Sequence, residues 1–292
     1  MINRKLKRAL APYVLIAPAC VLLLVFLYGV ANGIVQGFGI MPFLGMTTPT
    51  FDYYAQALSH PELIASIKYS LYLAAVSSAL AVVGGVVLSA ALTQAKASRL
   101  FQLLGVQVPI STAHMLVAIA AVCLFAGSGL VPRILAALGL TTLAESFPTV
   151  VGAASGWGII FVYLWKEIPF VAFCTVTIMA NISEKFGEAA AGLGASPART
   201  FFGITLPLCK GAIVKAFLIV FAFAFGSYEI PFLLGPTLPK ALPVLAYIEF
   251  QDPDLMNRCY AMALNGIMAL ICTVLAAAYF AVLQRERKGG RS

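Results

Sequence analysis

Charge is what this sequence has least of: 10% of its 292 residues are charged, against 61% hydrophobic. A soluble domain carries about a quarter charged residues, because a water-facing surface needs them. A chain this poor in charge cannot cover such a surface, so lipid must replace water around most of it. Histidine is scarcer still. His60 and His114 are the only two, too few for a His-rich metal or catalytic cluster. The six cysteines (Cys20, Cys123, Cys174, Cys209, Cys259 and Cys272) are widely spaced, five in or beside apolar runs, with no C-x-x-C pair. They read as small polarizable packing residues. No G-x-x-x-x-G-K-S/T stretch is present to cradle nucleotide phosphates, and neither G-x-S-x-G nor H-E-x-x-H occurs. The chain therefore reads as no enzyme, and energy for any work must come from a partner. Internal repeats and low-complexity tracts are also missing.

What is present is length in apolar runs. A membrane-spanning helix needs about 20 mostly apolar residues. Six candidates qualify: Tyr13 to Gln36, Ile67 to Leu92, Leu103 to Phe125, Pro148 to Trp165 with a possible extension to Met179, Leu208 to Ile230, and Cys259 to Leu283. Loop chemistry separates them at Gly39 to Pro61, Gly127 to Leu143 and Gly235 to Asn257. The first run continues well beyond Ala17-Pro18-Ala19-Cys20, so it reads as a spanning helix, not a cleaved signal. In the second run Gly85 and Ser89 stand one small-xxx-small step apart, which allows close helix approach in lipid.

The net charge of +8 does not indicate nucleic acid, because the basic residues form no stripe and no aromatic residues interleave them. It reads as a topology signal. With the N-terminus inside, one set of loops collects Arg4, Lys5, Lys7, Arg8, Lys96, Arg99, Lys185, Arg199, Lys210, Lys215, Arg285, Arg287, Lys288 and Arg291, fourteen of the nineteen Lys and Arg residues. By the positive-inside rule both termini are expected in the cytoplasm.

The chemistry-bearing segment is residues 181–207, on the expected cytoplasmic side. Asn181 with Glu184 three residues on resembles a capping box, which predicts a helix start. Ile182, Phe186, Ala190 and Leu193 follow at helical spacing and predict an apolar stripe. Gly192 and Gly194 are suited to stop that helix. Ser196-Pro197 predicts a new N-cap with proline at the first helical position, and Pro207 is expected to break the second helix. The result is a helix-turn-helix whose small residues, Ala189, Ala190 and Ala191, would let another protein approach closely.

Glu188-Ala189-Ala190, then Gly194 after three residues, then Ile204-x-Leu206-Pro207 after nine more, resembles the full EAA-loop signature of inner-membrane permeases of binding-protein-dependent ABC importers. Trp165-Lys166-x-Ile168-Pro169-Phe170 is similar to the same family's pattern. The resemblance covers about Ser66 to Tyr279. It implies an all-α transmembrane fold, a six-helix bundle of the type I importer kind. Residues 1–65 would be a basic tail, first helix and external loop; 66–280 the permease domain; and 281–292 a basic cytoplasmic tail. It implies that Glu188 helps hold a docked helix in a groove of an ATP-binding cassette ATPase dimer, that Gly194 permits the turn, and that Pro207 sets the angle into the fifth span. ATP and Mg would be bound by that partner, and the chain needs no cofactor of its own. A second permease subunit, a heterodimer being favoured over a homodimer, an external substrate-binding protein and the lipid bilayer of a bacterial inner membrane complete the implied assembly. The segment around Glu229 is similar to permeases of the polyamine and iron group.

Polar residues inside spans are costly and are functional suspects. They are Asn32, Gln36, His114, Lys166, Glu167, Tyr228, Glu229 and Asn265. Lys166 and Glu167 are read as a structural pair or snorkelling residues near the inner end of the fourth span, and His114 as an interhelical hydrogen-bonding residue. Glu229 is the leading pathway candidate, facing a cationic substrate or pairing with Arg258 or Lys240; Tyr228, His114 and Asn265 join it. The competing reading, an ion-driven secondary transporter or channel, predicts discontinuous repeats and acidic residues on several helices. Neither is seen.

Overall fold

The computed structural model describes residues 4–94, 103–139 and 148–289. Six helical stretches among them are long and apolar enough to cross a membrane: Pro12–Gly37, Leu63–Thr93, His114–Ala137, Trp157–Gly187, Pro197–Gly226 and Asn257–Ala277. Helices dominate because lipid offers no water to satisfy a bare peptide group, so each span must close its own hydrogen bonds.

The chain divides into two compact units, Met1–His60 with Ala246–Thr273, and Pro61–Leu245 with Val274–Ser292. In the first, helix α1 (Arg4–Gly37) is exposed along its most apolar stretch. It is followed by α2 (Asp52–Ser59), where the expected loop holds a helix after all. Phe38 packs on Phe51 and Tyr54 with ring centroids 5.2 and 5.1 Å apart, and the Thr50 N–H donates to the Phe38 carbonyl at 2.8 Å.

The second unit is organised by α3 (Leu63–Gln94) and α7 (Trp157–Gly192), with α9 (Leu206–Gly226) packed on both. Between α3 and α7 in sequence lie the short α4 (Val108–Ser111), α5 (His114–Phe125) and α6 (Leu130–Ala137). The third span thus begins at His114 and not near Leu103. Thr112 and Ala113 adopt extended backbone with ψ of 135° and 140°, which interrupts the helix there. Likewise α6 occupies part of the expected Gly127 to Leu143 loop, whose residues from 140 lie outside the described residues. The Gly235 to Asn257 loop holds α11 (Leu242–Phe250), before the last helix α12 (Asn257–Gly289).

The contact of α3 with α7 is a small-residue seam. A Cβ on Gly85 would stand 2.5 Å from the Val171 Cβ, and one on Gly84 would stand 2.8 Å from Ile168 Cδ1. One turn on, the Ser89 and Thr175 hydroxyls lie 2.7 Å apart, and Ser89 Oγ also donates to the Ala172 carbonyl at 3.2 Å. The expected Gly85-Ser89 step is therefore the contact itself. Around it Ala81, Val171, Ala216 and Val220 form one buried cluster, and Val86, Met179 and Cys209 a second nearer the end of α7.

Gly85→Val should lower thermal stability by about 1–3 kcal/mol, the usual penalty for overpacking. Gly29→Ala, at a position with nothing within 4 Å, should leave it unchanged. Melting curves of the purified protein in detergent check both.

Candidate functional site

Two places bring together the residues singled out by sequence. The first is the corner after α7. This helix runs unbroken through Asn181 to Gly192, so the capping-box start at Asn181 is wrong. A cap satisfies orphan N–H groups, and here the preceding turn already supplies the carbonyls. The helix ends as expected: Gly194 takes φ +79°, the left-handed turn, and the Ala195 N–H donates to the Ala190 carbonyl at 3.0 Å. Ser196 then caps α8 (Pro197–Thr200), its Oγ accepting from the Arg199 N–H at 3.3 Å, with Pro197 in the first turn.

Pro207 does not break the second helix. Residues Phe201–Thr205 widen into a π-turn, with the Leu206 N–H donating to the Phe201 carbonyl, and α9 continues through Pro207. The proline has no N–H to donate and its ring crowds the preceding turn; the wider turn just upstream accommodates both. The predicted apolar stripe also divides. Ile182 packs on the cluster of Met179 and Cys209, and Ala190 is buried, but Phe186 is 46% and Leu193 89% exposed. Ala189 is exposed too. The corner thus presents Phe186, Ala189, Leu193 and Gly194 outward. Glu188 lies on the last turns of α7, and its side chain lies outside the described residues. Ile204 and Thr205 sit in the π-turn and Leu206 opens α9, packed against the same cluster.

The second place is a cavity of about 170 Å³ lined by His114, Lys166, Glu167, Phe170, Ile219 and Phe223 among others. Here the sequence reading of Lys166 and Glu167 is corrected. They are 5% and 4% exposed and do not snorkel. Glu167 lies ten residues into α7, about 15 Å along it, half the thickness of a hydrocarbon core. Neighbours on a helix point about 100° apart, so the two side chains cannot pair with each other. Lys166 Nζ instead donates to the Thr112 carbonyl, which the break before α5 leaves without a helical partner. Hydroxyls seal the rest of that break: Thr112 Oγ1 donates to the Val108 carbonyl at 2.6 Å and Ser111 Oγ to that of Gln107 at 2.8 Å. Both carboxylate oxygens of Glu167 are buried with no hydrogen-bond partner among the described residues.

His114 packs against Phe223 with ring centroids 4.5 Å apart and the planes tilted by 36°, a packing contact in place of the expected interhelical hydrogen bond. Tyr228 precedes and Glu229 opens the short α10 (Glu229–Leu234), which packs on α5. The expected partners of Glu229 are engaged elsewhere: Lys240 Nζ lies 3.9 Å from Glu62 Oε2, and Arg258 in the other unit stands 5.2 Å over the Phe250 ring. Asn265 is half-buried on α12 in that other unit.

The profile of the family described as "Binding-protein-dependent transport system inner membrane component" matches residues 81–288, including both the α3–α7 seam and the corner. The chain belongs to this family. Its curated relatives are ABC permeases. The inner membrane ABC transporter permease protein YdcU of Escherichia coli (strain K12) is 27% identical over 227 residues, 70% of this chain and 72% of that one. The molybdate/tungstate transport system permease protein WtpB of Methanocaldococcus jannaschii is 36% identical over 96 residues, 32% of this chain and 38% of its relative. The putrescine transport system permease protein PotI of Escherichia coli (strain K12) is 28% identical over 54% of this chain and 60% of that one. The match thus spans less than two thirds of WtpB and of PotI. A bacterial ABC transporter involved in the import of the acidic polysaccharide alginate has the same fold, with a TM-score of 0.71 at 19% identity over 94% of this chain and 96% of that one. The family fold and its multi-pass membrane character therefore stand as read from sequence.

Ser196→Ala should weaken the corner by about 1 kcal/mol, the usual worth of an N-cap, and Ser196→Asp should restore it. Faster amide exchange at Arg199 in the first variant alone is the expected readout.

Proposed function

We propose that the chain is the membrane-spanning permease subunit of an ATP-driven importer in a bacterial inner membrane, coupled to a separate ATPase dimer through residues 181–207. The observation that carries this reading is the corner at Gly194. Two membrane-length helices meet there through a left-handed glycine and a capped restart, leaving Leu193 89% exposed at the tip. An apolar side chain so exposed at the end of a long helix suits insertion into another protein's groove. The spacing of Glu188, Ala189, Ala190 and Gly194 with Ile204, Leu206 and Pro207 supports the same partner. Nucleotide-driven motion of that partner would reach the bundle along α7, since Gly192 ends the same helix that carries Glu167. ATP hydrolysis and its Mg then belong to the ATPase.

A second permease subunit would complete the translocation path. An external binding protein would deliver substrate; the bacterial alginate ABC transporter is described in complex with an alginate pentasaccharide-bound periplasmic protein, and that chain matches at a TM-score of 0.68 and 20% identity. Both termini and the corner would face the cytoplasm.

Two measurements test this. Leu193→Cys, in a cysteine-free background, should react with an impermeant maleimide in inside-out but not right-side-out vesicles. Glu188→Ala should reduce ATP-driven uptake about tenfold or more, the loss expected when a charge-assisted contact at an interface is removed. Labelling from the outer side, or an ATPase that never associates with the chain, overturns the reading.

A further inference from the structure

The cavity beside α7 has a chemistry of its own. Four observations define it. Glu167 lines it, is 4% exposed, and has no hydrogen-bond partner for either oxygen among the described residues. The one lysine present, Lys166, is turned to the Thr112 carbonyl. Besides the His114 imidazole, the remaining walls are apolar or aromatic, including Phe170, Ile219 and Phe223. The space, about 170 Å³, is ample, since one water needs only about 10–15 Å³ of it.

A buried carboxylate with no partner is costly, and it lowers that cost by taking up a proton or by receiving a donor, which the cavity has room to admit. An anion would meet the acceptor oxygens of Glu167 unfavourably. A bare metal ion needs several ligands, and no group of three or more His, Cys, Asp or Glu side chains able to hold one occurs among the described residues. A primary ammonium group needs less. It carries three N–H donors for one carboxylate, and an alkyl tail suits the apolar walls, while aromatic rings tolerate a nearby cation.

We propose that this cavity is an intramembrane binding site for the ammonium end of a small aliphatic amine, with Glu167 as its acceptor. Lys166, which also lines the cavity, is held by the Thr112 carbonyl. The inference rests on the importer reading for its purpose, since it names the class of substrate that would cross, but binding itself does not depend on ATP.

The test uses the assembled transporter in nanodiscs without nucleotide, with radiolabelled n-butylamine as probe and molybdate as comparison. Butylammonium should bind saturably, and Glu167→Gln should weaken it about 10- to 100-fold, the range for one lost hydrogen bond to a charged group. Unchanged affinity in Glu167→Gln, or binding of molybdate and not butylammonium to the wild-type transporter, overturns the proposal. Should Glu167→Gln fail to assemble, the wild-type chain decides: dicyclohexylcarbodiimide should label Glu167, and saturating butylammonium should protect it. Equal labelling with and without the amine overturns the site. An ATPase that works normally through the corner while no amine binds defeats this site alone; amine binding without any ATPase partner defeats the importer reading alone.

Discussion

Everything in the larger unit depends on how closely α3 and α7 approach each other. Lipid tails are as apolar as leucine, so burying apolar surface between helices contributes little in a membrane. What remains is contact at short range. Gly84 and Gly85 remove the side chains that would hold the helices apart, and Ile168 and Val171 fill the space. The Ser89–Thr175 pair at 2.7 Å then satisfies two hydroxyls that lipid could not. With these two helices set at this distance, α9 has a groove to fill through Ala216 and Val220.

One consequence is that a single helix carries both places of interest. α7 is 36 residues long, so it runs about 54 Å. Glu167 stands on it at the cavity, the seam follows at Ile168 to Thr175, and the corner closes it at Gly192. Pro169 lies within it, between Glu167 and the corner, and removes one of its backbone hydrogen bonds. Two further irregularities sit beside it: the break at Thr112 that exposes a carbonyl to Lys166, and the π-turn at Phe201–Thr205 that admits Pro207. Both are non-helical or widened backbone, and both are tolerated because their polar groups find partners within the protein.

Much of this was legible from residues alone. Long apolar runs mark spans because their length is set by the bilayer, and Ser196-Pro197 marks a helix start because the cap and the proline act locally. Gly194 was legible for the same reason, since a left-handed residue is a property of one position. Asn181 misled because a capping pattern is only a cap where the chain enters a helix, and here the span above had already supplied the turn. Pro207 misled because the cost of a helical proline depends on whether the neighbouring turn can widen. Glu229 drew attention as an acid near a span end, whereas the buried carboxylate with no hydrogen-bond partner among the described residues is that of Glu167.

The amino-acid sequence by itself determined the membrane setting, the number of crossings, the family and the place of the corner, because each follows from local composition or spacing. Only the tertiary structure decided which charges are buried and which are paired. Lys166 and Glu167 are adjacent in the chain, yet one finds the Thr112 carbonyl and the other faces a cavity. That division arises from helix geometry and from what α4, α5 and α9 place around α7, and no local pattern carries it.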